Sequence, residues 1–287
     1  MQRFFKPLIL GSFIIAISLL GGCSGSKSIS SLYTQKDIKI DGNLSDWSYS
    51  DALISENDSF NYYVSNDQNN LYLYVDFKSP FYKSAAENSG FTIYLGTDPK
   101  NKRAFGITYP VGSFNFLRDM PGAYKDFLDD PEWMTKADHQ KLLDSFKKDN
   151  YKKVMITRKD DPKGTPQRVI IDLAKLKAQG IDLAINKSNR LISMEMKIPL
   201  RSSQTQQLAL DPGKSSKIDL GFEIEPPDFK IQDDNTDMTN RRRYSNYGGY
   251  YGGGRTRDTG YEKKQMLTRR LGQYDKWFNI ALSKPGN

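Results

Sequence analysis

Apolar residues recur at every second position in several separate stretches of this chain. Leu71, Leu73, Val75 and Phe77 share one face, with Tyr72, Tyr74 and Asp76 on the other. Ile192, Met194, Met196 and Ile198 repeat the pattern against Ser193, Glu195 and Lys197. Ile218, Leu220, Phe222 and Ile224 do so against Lys217, Asp219, Glu223 and Glu225, and Phe278, Ile280 and Leu282 close the chain in the same way. A period of two is that of a strand, whose successive side chains point to opposite faces. One wet and one dry face per strand predicts an all-β fold, an antiparallel β-sandwich rather than a parallel α/β sheet. Asn66-Asp67-Gln68-Asn69-Asn70, Asp98-Pro99-Lys100-Asn101 and Asn186-Lys187-Ser188-Asn189 are the polar turn segments that hairpins require.

Residues 121–150 break this rhythm. Asp130-Pro131-Glu132 reads as a helix start, and Leu142, Leu143 and Phe146 then recur at helical spacing among Lys and Asp. The stretch is expected to be a helical insertion packed on the sandwich. A shorter helix is expected from Asp172 to just before Gly180, which supply cap residues at its two ends.

The N-terminus has a different pattern. Arg3 and Lys6 precede an almost wholly apolar run from Pro7 to Leu20, and Gly21-Gly22 then lead into Cys23. A positive start, a short apolar core and small residues form the layout of a secretory signal, and the run is short for a membrane helix. The Leu-Gly-Gly-Cys ending resembles a bacterial lipoprotein signal, which implies cleavage after residue 22 and lipidation of Cys23. The expected organisation is a signal peptide over 1–22, a flexible tether over 23–35 and one sandwich domain over 36–284. Ser24 in place of Asp favours an outer-membrane address.

Composition narrows the chemistry. Cys23 is the only cysteine, so no internal disulfide and no cysteine-based metal site is expected. His139 is the only histidine, with no nucleophile motif beside it, which argues against a catalytic triad or a histidine-based zinc centre. There are 34 acidic residues, so carboxylate pairs arise by chance and do not identify a glycosidase. No phosphate-binding loop is present. The reading is therefore a non-enzyme with no cofactor and no metal.

The formal net charge of +8 is local, lying largely between Arg241 and Arg270. Within residues 239–262, Arg241-Arg242-Arg243 precede Tyr244, Tyr247, Tyr250 and Tyr251, which are interleaved with glycines. Glycine clustering argues against strand or helix, so this stretch is expected to be a long loop before the final strand. Two readings of it stand. One is a cationic, aromatic binding surface for polysaccharide, another envelope protein or anionic lipid headgroups, with Arg241, Tyr247, Tyr250 and Tyr251 as contacts. The other is a solvated loop kept soluble by its arginines. Nucleic acid is not an expected partner of an exported protein.

Ile40-Asp41-Gly42-Asn43-Leu44-Ser45-Asp46-Trp47, followed by Ala52, resembles the opening of the family 9 carbohydrate-binding module. Leu71 to Val75, Phe91 to Gly96, Glu195 to Leu200, Leu220 to Ile224 and Trp277 to Leu282 are similar, in order, to that family's later strands. The likeness is to family-9-like lipoproteins of Bacteroidetes-type bacteria. It implies an immunoglobulin-like β-sandwich and carbohydrate binding through stacked aromatics. Trp47, inside the motif, is expected to be a buried anchor. Trp277 and Phe278 alternate, so one of them faces outward. Trp133, on the insertion, is the tryptophan placed best for exposure and the candidate for ligand contact. The resulting expectation is a lipid-anchored envelope protein that binds carbohydrate, with a structural or partner-binding role through 239–262 as the alternative.

Overall fold

The computed structural model describes residues 28–130, 132–186, 192–204, 206, 208–213, 216–230 and 259–286. Two sheets face each other. In spatial order the first runs β1 (Ile29–Ser30), β13 (Tyr274–Ala281), β12 (Lys217–Ile224), β6 (Thr92–Gly96), β7 (Phe105–Thr108), β8 (Lys153–Arg158) and β9 (Gln167–Asp172). The second runs β10 (Asp182–Asn186), β11 (Ile192–Pro199), β5 (Asn70–Phe77), β4 (Phe60–Asn66) and β2 (Leu32–Tyr33), and β3 (Leu53–Glu56) also pairs with β4. Neighbours are antiparallel except β1 with β13 and β2 with β4, which are parallel. The fold is the expected β-sandwich.

The alternating apolar faces meet between the sheets. Leu71, Leu73, Val75 and Phe77 of β5 and Met194, Met196 and Ile198 of β11 join Ile218, Leu220, Phe222 and Ile224 of β12 in one core. Aromatic rings fill its centre: Tyr62 lies 4.4 Å from Phe222 and 5.3 Å from Phe278, and Phe60 lies 5.1 Å from Phe77. Burying each such side chain contributes about 1.5–3 kcal/mol, so with no disulfide the sandwich rests on this packing.

The outward faces depart from expectation. Tyr72, at 2% exposure, and Glu195, at 0%, belong to the face read as wet, yet both are buried. Residues 36–52 fold back over the outside of the second sheet, where Ile38, Trp47 and Ala52 pack on Tyr63, Tyr72 and Tyr74. Glu195 holds that cover in place. One of its oxygens accepts the backbone N–H groups of Asp41 and Gly42, both at 2.8 Å, and the other accepts Trp47 Nε1 at 2.8 Å. Gly42 sits at φ +81°, and a Cβ there would lie 2.6 Å from the Asn186 backbone nitrogen. An Ile-Asp-Gly turn closed by a tryptophan is thus a latch on a buried carboxylate.

Three further boundaries shift. Residues 29–33, read as part of a flexible tether over 23–35, are strands paired into both sheets, because Ile29 and Leu32 each find an apolar neighbour. The helical insertion begins before residue 121. After α1 (Tyr49–Ala52) and α2 (Pro80–Ser89), it comprises α3 (Ser113–Leu117), α4 (Pro121–Asp129) and α5 (Ala137–Phe146). Helix α5 starts past the expected Asp130-Pro131-Glu132 site, where a short helical turn, Trp133–Thr135, lies instead. The helix α6 (Leu173–Ala178) forms as expected between Asp172 and Gly180. Finally, α7 (Thr259–Arg270) takes up the last four residues of the stretch read as a loop. The glycine cluster ends at Gly254, and Glu262 to Leu267 are good helix formers.

The β4–β5 turn gives a pH prediction. Burial alone would raise the Asp67 pKa, but the hydrogen bonds it accepts from Tyr72 Oη and from Asn69 and Asn70 together outweigh burial and hold it below its usual value. A depressed folded-state pKa supplies stability that is present above the unfolded value and lost as pH falls through the folded one. Asp67→Asn should therefore blunt the acid-induced fall in melting temperature below about pH 4. Superimposable acid limbs for the two proteins would refute this assignment.

Candidate functional site

Among the described residues, the outer face of the first sheet is covered in part, where Met155 and Ile170 pack on Phe116 and Phe146 of the helical insertion. Registers align one residue from each of six strands in a row: Trp277 of β13, Gly221 of β12, Tyr94 of β6, Gly106 of β7, Thr157 of β8 and Arg168 of β9. The two glycines let the rings lie down. A Cβ at Gly221 would stand 2.6 Å from the six-membered ring of Trp277, and one at Gly106 would stand 2.8 Å from the ring of Tyr94. Each ring thus leans across a strand that offers no side chain. The rings are nearly parallel, 17° apart, with centroids separated by 5.9 Å.

Arg103, from the end of the β6–β7 connection, lies over both rings, with Cζ 5.2 Å from the centre of Trp277 and 5.6 Å from that of Tyr94. Its Nε donates to Glu223 at 3.1 Å and one terminal nitrogen donates to Asp275 at 3.2 Å. A planar guanidinium with a fixed fork of donors can hold two carboxylates and stack on a ring together. Burial is the main influence on Glu223 and raises its pKa against the pull of Arg103. Burial also pushes Tyr94 up to about 12, with Glu223 and Glu225 adding to the effect.

Beside the rings, Tyr94, Arg103, Thr157, Lys159, Pro166, Arg168, Glu223 and Glu225 surround a pocket of about 370 Å³. Arg168 donates to Glu225 at 3.1 Å across it. The hollow is rimmed by guanidinium donors and carboxylate acceptors, with Tyr94 buried at 7% exposure beneath Arg103 and the half-buried Trp277 ring beside it.

A larger hollow of about 520 Å³ lies at one end of the sandwich, lined by Tyr33, Asn66, Asp67, Arg201, Ser283 and their neighbours. There Asn66 bonds Ser31 and Ser283, and Asp67 is committed to its own turn, so these groups hold chain segments together.

The residues expected to bind are placed differently. Trp133 is 3% exposed and belongs to the separate core of the insertion, with Phe114, Phe127, Leu143 and Phe229. Its ring stacks on His139 at 3.9 Å, and His139 Nδ1 lies 2.9 Å from the Trp133 carbonyl oxygen. The expectation of an exposed Trp133 is thus corrected, because the helices need an aromatic core of their own. Trp47 is the buried anchor expected. Of the final-strand pair, Phe278 faces the core and Trp277 faces outward. Cys23, Arg241, Tyr247, Tyr250 and Tyr251 lie outside the described residues.

Sequence reasoning missed Tyr94, Arg103, Arg168 and Glu223 as one group. The available signal was a glycine in the outward phase of two strands, Gly106 and Gly221, with an aromatic in the outward phase of a third. Among the described residues no group of three or more His, Cys, Asp or Glu side chains is placed to hold a metal ion.

No family model matches this chain, and no curated protein matches it. Among solved structures it is similar to a family 9 carbohydrate-binding module from Caldicellulosiruptor kristjanssonii in complex with glucose. That likeness has 10% identity and a TM-score of 0.33, over 91% of this chain and 98% of the other. A family 9 module of the same organism in complex with cellotriose is similar at 10% identity and a TM-score of 0.32, over 69% and 77%. Likeness this distant carries neither ligand nor mechanism across.

Proposed function

We propose that this protein is a non-catalytic carbohydrate-binding module, anchored in the bacterial outer membrane by a lipid on Cys23. The observation that carries the binding half is the Trp277–Tyr94 floor under Arg103, rimmed by Glu223 and Asp275. A sugar ring presents C–H groups on its faces, which an aromatic ring accepts, and hydroxyls at its edge that both donate and accept. Carboxylates and guanidiniums side by side satisfy both kinds of hydroxyl bond. The non-catalytic half follows from the same contacts. Glu223 and Asp275 share Arg103, and Glu225 pairs with Arg168, so each carboxylate is engaged by a cation rather than free to move a proton.

The anchoring half rests on the signal-like N-terminus. Four residues, 24–27, separate Cys23 from Ser28, the first described residue, and the five steps between the two can span at most about 18 Å when fully extended. A lipid on Cys23 would hold the β1–β13 edge of the first sheet close to the bilayer surface. Metabolic labelling with a clickable palmitate should mark the wild type and leave Cys23→Ala unlabelled. Equal labelling of both would remove the anchor.

Affinity electrophoresis of the detergent-solubilised full-length protein tests the binding half. At least one neutral polysaccharide should retard the wild type. Arg103→Ala should weaken that retardation on the order of tenfold, as expected for losing charge-assisted hydrogen bonds together with a stacking contact. Its melting temperature should fall modestly, because the substitution leaves the largely buried Glu223 without its cation. No retardation across a broad polysaccharide panel would sink the proposal. New reducing ends in the recovered polysaccharide would overturn its non-catalytic part.

A further inference from the structure

The chain enters β1 from one particular end of the sandwich. β1 runs parallel to β13, with Ile29 beside Ile280, and Ser28 Oγ donates to Asn279 Oδ1. The direction from Ile29 back to Ser28 therefore points towards the Tyr274 end of β13. The five strand steps from Asn279 to Tyr274 cover about 17 Å. That is within the reach of about 18 Å that separates Cys23 from Ser28 at most.

The Tyr274 end carries apolar side chains in the open and guanidiniums beside them. Phe81, the second residue of α2, is 46% exposed, and Met266 of α7 is 70% exposed. Arg269 and Arg270, about one turn beyond Met266, are also exposed, and among the described residues neither has a carboxylate partner. Close packing joins α2 to the turn after α7. A Cβ at Gly272 would lie 2.6 Å from Ala85 Cβ and 3.1 Å from the Phe81 ring. Tyr82 supports that ring at 5.2 Å and itself meets Tyr274 at 5.4 Å, so Phe81 stands on a fixed aromatic base. Arg269 lines a hollow of about 390 Å³ with Phe81, Tyr82 and Asp275, and Asp275 is already held by Arg103. Resting on the reading that Cys23 is lipidated, we infer that this end of the sandwich is a membrane-contact face. Phe81 and Met266 enter the headgroup layer, and Arg269 and Arg270 meet the phosphates of anionic phospholipids.

The bilayer is the occupant because the anchor and the patch lie at the same end. Attraction between exposed charges fades within about 8 Å at physiological ionic strength, so only a surface held against the membrane gains from it. The lipid supplies that proximity, and the patch then fixes which way the sandwich faces. Single exposed apolar residues are ordinary on a protein surface, but two of them bordered by cations without internal partners form the pattern of an interfacial contact.

Proteoliposomes of the full-length lipidated protein test this. With Cys23 lipidated, a cysteine introduced elsewhere is the one free thiol. A bimane probe is attached through Gln273→Cys, at the Tyr274 end, or through Lys284→Cys, beyond the other end of β13, and is quenched by phospholipid bearing a headgroup nitroxide. With two cations each favouring the contact by about fivefold, quenching at position 273 should exceed that at 284 by about threefold or more in phosphatidylglycerol-containing vesicles. Arg269→Glu with Arg270→Glu should bring the two probes together, and Phe81→Ser should do so in part. Equal quenching at both ends, or a difference that survives charge reversal, would overturn the contact face while leaving the anchor intact. Concentration-dependent shielding of the position 273 probe from aqueous iodide in lipid-free detergent would assign the patch to a second copy of the chain instead. Failure of the protein to float with the vesicles would remove the lipid anchor itself, and this inference with it.

Discussion

Glu195→Ala should lower the unfolding free energy by about 3–5 kcal/mol, the largest loss expected from one side chain outside the central core. Three donors converge on this carboxylate: the backbone N–H groups of Asp41 and Gly42 and the indole N–H of Trp47. Truncation leaves all three without an acceptor in a region where Trp47, Ala52 and Glu195 are buried. Each buried polar group left unpaired costs about 1–3 kcal/mol. Burial itself works against the carboxylate, since desolvation raises its pKa. The converging donors offset part of that cost.

Glu195→Gln should fall between wild type and the alanine variant. It retains one acceptor oxygen but turns an amide N–H₂ towards at least one of the three donors. Urea unfolding monitored by tryptophan fluorescence measures both. A loss below about 1 kcal/mol for the alanine variant would show that the cover over the second sheet is held by apolar packing alone. A cycle with Trp47→Phe separates the indole hydrogen bond from that packing.

Gly112→Ala should cost about 3 kcal/mol or more. Gly112 lies at φ +88° and ψ 129°, a backbone region essentially closed to residues with a Cβ. A Cβ there would also lie 2.2 Å from the Gly90 nitrogen, and neither backbone can step aside. The two chain segments are stitched together around this point. Gly112 N–H donates to Asn150 Oδ1, and Asn115 Nδ2 donates to the carbonyls of Ser89 and Val111. These bonds set the helical insertion on the sandwich.

Gly122→Ala is the contrasting substitution. Gly122 lies in the first turn of α4 with nothing within 4 Å of a built Cβ, so alanine should stabilise by up to about 1 kcal/mol through helix propensity. The pair therefore differs in sign for the same chemical change. Melting temperatures moving in the same direction would show that local backbone propensity, not close approach, governs both positions.

Much of the sandwich was legible because its core strands alternate cleanly. Val75, Met196 and Phe222 each stand in an apolar phase that has one physical use, burial between sheets. The helix between Asp172 and Gly180 was legible for a similar reason, since its end signals are local. Trp133 misled because a tryptophan in a charged, helical stretch looks exposed until a second core, built on Phe114, Phe127 and Phe229, is known to exist. The three phenylalanines are far apart in sequence, and nothing local links them.

The outward phases were the harder half. Tyr72, Tyr74 and Glu195 on the second sheet look much like Thr92, Tyr94 and Glu223 on the first. Residues 36–52 bury the former set, while Tyr94 and Glu223 of the latter border a hollow. Alternation says which residues share a face, but it carries no information about what lies opposite that face. Cover is a long-range contact, and Asp41 reaches Glu195 across 154 positions. The same limit applies to the candidate site. Trp277, Gly221, Tyr94, Gly106, Thr157 and Arg168 come from six strands, and only strand order and register set them in one row.

The amino-acid sequence by itself therefore determined the β-sandwich class, the core-facing phase of its strands and the helix between Asp172 and Gly180. These follow from burial periodicity and from backbone groups that must be satisfied within a few residues. The tertiary structure alone decided which parts of the outer faces are covered, which tryptophan faces outward and which charges surround it. Those outcomes depend on contacts between segments that sheet pairing brings together, and no local pattern records that pairing.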